Sequence, residues 1–381
     1  MGNTVPTTRL KAVTGLVDQS HVVNLCEEIE NALIERQDPG GFTFLYRYFQ
    51  TLLQQGRVDE LQAFMEGMEQ CSFSVYKDNV RTFVSFINAF LRKSQGKVQE
   101  AAYWFRQTLV KHGQLEALGI KNVQVNCYKE LGNLHFYLEQ HTDAIENYQK
   151  AINSLTLDAD SEYLLAILMY NISLCQYHIK NYHQALEYLD KVIPLAKDSS
   201  NSYLLLNALI LKSALLSDHF KNYHEANRLL DHAYEIAERN QHAALMNKIW
   251  NNWGHNFFHL KQFMLAEQSL LHSIRLSRES DDVEAGLFSE LLLAEIWMKQ
   301  GRQLEAKQLL ERARKKTAGK PQYAKELLSC LELLEQVESD EKLRIKYIEE
   351  AYRLAREQKN YQKSTKFQKK LSKITREKKE F

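Results

Sequence analysis

The chain has 381 residues with 49 Lys and Arg against 48 Asp and Glu, a balance that supplies no overall field for holding nucleic acid or an anionic membrane. Five cysteines, Cys26, Cys71, Cys127, Cys175 and Cys330, are spread without a CxxC pair, which argues against a disulfide framework or a zinc site and fits a reducing cytosol. Four prolines, fourteen glycines and no sustained strand-type alternation predict an all-α protein.

In chain order, residues 7–38 predict a polar, amphipathic helix that stops at Asp38-Pro39-Gly40-Gly41. Helices are expected next from about Phe42 to Gln55 and from about Val58 to Glu69. Together these predict a small helical bundle over residues 1–72, followed by a repeat region over 73–381. Residues 1–38 hold three Lys/Arg and six Asp/Glu, the wrong sign for gripping phosphate, so a DNA-reading segment is not expected there. No apolar run reaches the roughly 20 residues of a membrane span, and Met1 to Gln19 has no apolar leader core. A cytoplasmic location is therefore expected.

From there on one pattern dominates. Ala101, Ala144, Ala185, Ala226, Ala266 and Ala306 stand 40 to 43 residues apart. Twelve residues before each lies another small residue: Ala89, Gly132, Ser173, Ala214, Gly254 and Ala294. Four after each lies a large one, Phe105, Tyr148, Leu189, Leu230, Leu270 and Leu310, and seven after it the side chain is again mostly small. A fixed period of this size means stacked helix hairpins, because one hairpin cannot bury its own apolar face and must lean on a neighbour. Polar or Gly-containing breaks, such as Gln95-Gly96, Lys197 to Asn201 and Ala318 to Pro321, fall between the predicted helices. A weaker seventh unit is anchored on Ala351. Residues 361–381 carry eight Lys/Arg and two Glu, which predicts a frayed, solvated final helix.

The small-small-large-small register resembles that of the tetratricopeptide repeat, with six or seven extra residues lengthening the helices. The resemblance implies a right-handed superhelical solenoid of tetratricopeptide-like helix hairpins, in which the first helix of each unit lines a concave groove. Carrying the register over places Asn126, Lys129, Asn133, Phe136 and Tyr137 of the second unit there, with Ile167, Tyr170, Leu174, Tyr177 and His178 of the third. The fourth contributes Ala208, Leu211, Leu215, Asp218 and His219, and the fifth Lys248, Asn251, His255, Phe258 and His259. Phe288, Leu291, Glu295, Met298 and Lys299 come from the sixth. Amides and charges beside aromatic rings suit an extended peptide, whose backbone the amides can bond while the rings form pockets for its side chains.

Local chemistry names no enzyme. The spacing of His255 and His259 can hold a metal, but no Glu follows the first His and no third ligand is evident, so no metal and no cofactor is expected. Neither GxxxxGK[ST], GxGxxG nor GxSxG occurs.

Longer stretches are more specific. The opening Val5-Pro6-Thr7-Thr8-Arg9-Leu10, the acidic Glu28-Ile29-Glu30 followed by Gln37-Asp38, and the aromatic Phe44-Leu45-Tyr46-Arg47-Tyr48-Phe49 together resemble the N-terminal bundle of the Rap proteins of Gram-positive spore formers. The segment from Phe86 to Leu109, with Gly96, Ala101 and Tyr103-Trp104-Phe105, is similar to the first Rap repeat. That family belongs to the receptors for secreted signalling peptides. The resemblance implies that the bundle grips a response regulator, with Gln37 at the position that orients a water against an aspartyl phosphate. Binding a regulator without dephosphorylating it stays equally open. The family's peptide-contacting Asn-x-x-Asn falls on Asn252 and His255, so that one amide is kept and the other is replaced by imidazole.

The expectation is thus a cytoplasmic regulator whose partners are a short signalling peptide in the groove and a response regulator or other regulatory protein on the bundle. A constitutive tetratricopeptide scaffold and an aspartyl-phosphate phosphatase are the alternatives.

Overall fold

A computed structural model describes residues 22–24, 27, 40–71, 77–156, 161–198 and 202–377. Regular structure among the described residues is helical throughout. Gln37 and nearly all of the predicted first helix lie outside the described residues. The chain divides into two compact units, Met1–Leu195 and Ala196–Phe381.

In the first unit, α1 (Gly40–Gln54) and α2 (Val58–Gln70) form one hairpin and α3 (Lys77–Ser94) and α4 (Val98–Val110) a second. A short α5 (His112–Glu116) leads to the pair α6 (Val123–Tyr137) and α7 (His141–Asn153). These are followed by α8 (Ser161–His178) and by α9 (Tyr182–Asp198), which runs across the division. Phe49, Phe83, Phe86 and Phe105 are buried where α1, α3 and α4 meet.

The second unit stacks α10 (Ser202–Asp218) with α11 (Tyr223–Arg239), α12 (Ala243–His259) with α13 (Phe263–Glu279), and α14 (Val283–Lys299) with α15 (Gln303–Thr317). After a turn of 3-10 helix, Pro321–Tyr323, come α16 (Ala324–Val337), α17 (Glu341–Glu357) and α18 (Tyr361–Glu377).

The alanine register sets the hairpin packing. Ala101, Ala144, Ala185, Ala226, Ala266, Ala306 and Ala351 are all fully buried. A Cβ on Gly254 would stand 2.5 Å from Leu270 Cδ2, so the smallest residue of one helix sits against the large residue of its partner. Such close approach lets two helices bury a continuous apolar seam, worth about 25 cal/mol for each Å² removed from water.

The turns inside the hairpins share one conformation. The amide of Gly56 donates to Leu53 and that of Arg57 to Leu52; Gly96 and Lys97 repeat the pattern with Lys93 and Arg92, as do Lys261 and Gln262 with Phe258 and Phe257. Each such turn has one residue at positive φ: Gly56, Gly96, Glu139, Lys180, Lys261, Gly301 or Lys359. The hairpin α1–α2 therefore turns in the same way as the repeats that follow it.

One turn is longer. In the fourth repeat the closing bond runs from the Asn222 amide to Leu216, six residues back, where Gln140, Asn181, Gln262 and Arg302 reach five back. The extra residue moves the register of α10 by one. Ser213, not Ala214, is the fully buried small residue against α11, and its hydroxyl donates to the carbonyl of Ala226 at 3.0 Å. Ala208 and Leu215, expected in the groove, are consequently core residues with no exposure.

The charged end also differs from expectation. Phe367 of α18 is fully buried, with Leu371 and Ile374 packed on the same core. Lys363 and Lys366 bind Glu332 at 2.7 and 3.0 Å, and Lys370 binds Glu335. An apolar stripe packs this helix against α17 and the shared core, and the ion pairs tie it to α16, so Lys363, Lys366 and Lys370 neutralise partner carboxylates instead of leaving a frayed basic tail.

Candidate functional site

In the first unit, α6 and α8 carry the predicted contact residues. Asn133 is engaged in the structure itself: its side-chain oxygen accepts from the Tyr148 hydroxyl at 2.8 Å and from Asn171 at 3.4 Å, while its amide nitrogen donates to Glu130 at 3.1 Å. Glu130 is buried, and burial alone would raise its pKa. Lys129 and Lys93 outweigh that effect and hold it below the usual carboxylate range. Asn133 is thus a strut of the fold.

Around it lies a more open aromatic ledge. Tyr137 is 75% exposed, and Tyr170 and Tyr177 are half-buried. His178 is packed by Phe136 at 5.4 Å and Tyr177 at 5.6 Å, and lies flat on His141 at 4.7 Å. Burial and the neighbouring His141 ring lower the His178 pKa, with Glu139 pulling weakly the other way.

In the second unit the predicted residues are joined more closely. Asp218 Oδ1 lies 3.7 Å from His255 Nδ1, and His255 Nε2 lies 3.1 Å from His259 Nε2. The Tyr223 ring stacks on His259 at 5.2 Å, nearly parallel. Phe258 packs beside His259 at 5.3 Å and carries the Lys299 ammonium over its face at 5.6 Å. Burial lowers the His259 pKa, assisted by His255 and Lys221 and opposed by Asp218. Glu295 is half-buried on α14, and His219 sits exposed in the longer turn.

The neighbouring asparagines have different tasks. Asn251 donates to Ser289 Oγ at 2.7 Å, and Ser289 meets Ser273 at 2.8 Å, which donates to Asn247 at 2.6 Å. This chain of small polar groups ties α12, α13 and α14 together inside the core. Asn252 is half-buried and its side chain makes no hydrogen bond among the described residues, so its amide is available to a ligand as both donor and acceptor.

Sequence reasoning missed Tyr223 and His141, which begin the second helices of their hairpins and stack on the histidine one repeat later. Their shared place directly after the turn was the available signal. It also missed Trp250, which stacks on His272 at 4.6 Å and meets Trp253 at 4.9 Å. Burial pushes the thiols of Cys175 and Cys330 up to about 12, so neither is poised as a nucleophile.

The tetratricopeptide repeat pattern matches residues 122–198. No curated protein sequence matches the chain. Among solved structures, the apo form of RapI superposes with a TM-score of 0.62 at 16% identity, covering 89% of this chain and 98% of RapI. A Rap protein complexed with competence and sporulation factor gives 0.57 at 16% identity, with 88% and 98% covered. NprR in complex with its cognate peptide NprX gives 0.54 at 12% identity, with 87% and 97% covered. At these identities the likeness is one of fold. The chain is an all-helical protein with the tetratricopeptide-repeat fold of the Rap and NprR structures.

Proposed function

We propose that the chain is a peptide-responsive regulator, in which a short signalling peptide binds the first-helix face of the second unit. The observation that carries this reading is the Asn252 side chain, without a hydrogen-bond partner among the described residues, one turn before His255 on the helix that also carries Phe258 and His259. An amide free to bond, on a helix face that also carries aromatic rings, suits an extended backbone with mixed side chains. The fold shared with NprR, which binds a cognate peptide, supports the assignment.

In this reading residues 73–381 receive the peptide, and residues 1–72 hold a response regulator or another regulatory protein. The peptide controls the target only if it prefers one of two packings of the repeats, because equal affinity for both would shift nothing. A cytoplasmic location follows from the same reading, and no helix among the described residues is long and apolar enough to cross a membrane.

The test is small-angle scattering of the full chain with and without a short peptide selected on it from a displayed library. A switch predicts a change in radius of gyration on saturation. An unchanged profile with bound peptide would favour a constitutive scaffold.

A further inference from the structure

We propose that His255 and His259 form a bidentate site for a late first-row divalent transition ion, of the zinc or copper kind, on the open face of α12. The inference is independent of any peptide.

The two residues are one helical turn apart, so their rings emerge from the same face of the helix. Their Nε2 atoms approach to 3.1 Å, and the rings cross at 68°. With metal–nitrogen bonds of about 2.0–2.1 Å, two nitrogens at that separation subtend roughly a right angle at a shared ion, which neighbouring ligands of one metal adopt. Without an ion, the contact is a hydrogen bond in which one ring donates and the other accepts.

Two further groups set the rings. Asp218 Oδ1, 3.7 Å from His255 Nδ1 and so just beyond hydrogen-bond reach, acts through its charge, which favours a proton on the near Nδ1 and leaves the Nε2 lone pair for the ion. A carboxylate behind a ligating imidazole is the usual outer partner of such a ligand. Tyr223, stacked on His259, fixes the plane of the second ring. Lys221, whose ammonium donates to the Asp218 carbonyl, is an opposing charge close by, and the two nitrogen bonds must exceed its repulsion.

Among the described residues no group of three His, Cys, Asp or Glu converges, so water fills the remaining positions. Two protein ligands and open positions make an exchangeable site, and the ordinary affinity order places copper above zinc. His141 and His178 provide the internal contrast. They come from different helices and are stacked 15° from parallel, which aims their nitrogens side by side instead of at a common point.

The test is titration of the full chain with zinc chloride alone, followed by calorimetry, and with copper sulfate alone, followed by electron paramagnetic resonance, both near neutral pH. One equivalent should bind. It should weaken at least about tenfold in His255→Gln and in His259→Gln, and roughly tenfold in Asp218→Asn. Helical circular dichroism should be unchanged in all three, and His178→Gln should bind as the parent does. Copper should show coupling to two imidazole nitrogens in the parent and to one in each single His variant. Absence of a saturable equivalent, or equal binding by folded His259→Gln, would overturn the proposal.

Discussion

Tyr148 fills the space that a side chain at position 132 would need. A Cβ on Gly132 would stand 2.5 Å from Tyr148 Cε1, and the ring cannot swing aside freely because its hydroxyl is bonded to Asn133. The same relationship recurs between Gly254 and Leu270, which makes close helix approach the device on which these two hairpins depend.

Gly132→Ala is therefore expected to destabilise the protein. Alanine gains about 0.8–1.0 kcal/mol of helix propensity over glycine, while overpacking a fixed ring costs about 1–3 kcal/mol. The net loss expected is about 1 kcal/mol, read as a lower denaturant midpoint. Adding Tyr148→Leu removes the ring, and in that background Gly132→Ala should be neutral or stabilising. A rise in midpoint for the single variant would contradict the packing account.

The one-residue slip in α10 makes a paired prediction. Leu215 is fully buried, so Leu215→Ala should cost about 2–5 kcal/mol. Leu211, the neighbour that keeps partial exposure, should cost less than half as much when cut to alanine. Equal costs in chemical denaturation would mean that the fourth turn does not shift the helix.

Acid should weaken the first unit through His178. Its folded-state pKa lies below the ordinary imidazole value because burial and His141 oppose the charge. The unfolded chain thus takes up the proton first. The stabilisation is fully present above about pH 6.5 and is lost as pH falls through the lower folded value. Glu332 obeys the same sign at lower pH: burial raises its pKa, but Lys363 and Lys366 more than offset this, and its contribution is lost only below the usual carboxylate range. Denaturant midpoints measured from pH 7.5 down to pH 5 should fall, and His178→Phe should flatten that fall.

The hairpin stack was legible in the sequence because close packing needs small side chains at fixed places, and Ala101 to Ala306 display them. The register of α10 was hidden, since one added turn residue leaves the alanine spacing intact while sliding Ser213 into the slot read as Ala214. Among candidate contacts, Asp218, His255 and His259 do come together. The separate tasks of Asn251 and Asn252 could not be read from spacing, because the partners of Asn251 come from α13 and α14. The docking of α18 depended likewise on Glu332 and Glu335, far away in sequence.

Asn133 and Asn252 should separate structure from recognition. Asn133→Ala removes the acceptor of the Tyr148 hydroxyl and should cost about 1–3 kcal/mol by leaving a buried group unpaired. Asn252→Ala removes no side-chain bond among the described residues and should leave the stability within about 0.5 kcal/mol of the parent.

The most direct measurement is calorimetric titration of a selected short peptide into the parent chain, Asn252→Ala and Asn133→Ala. The account predicts that affinity falls at least about tenfold in Asn252→Ala, at unchanged stability, and stays near the parent value in folded Asn133→Ala. Equal affinity of the parent and Asn252→Ala for the peptide would contradict it.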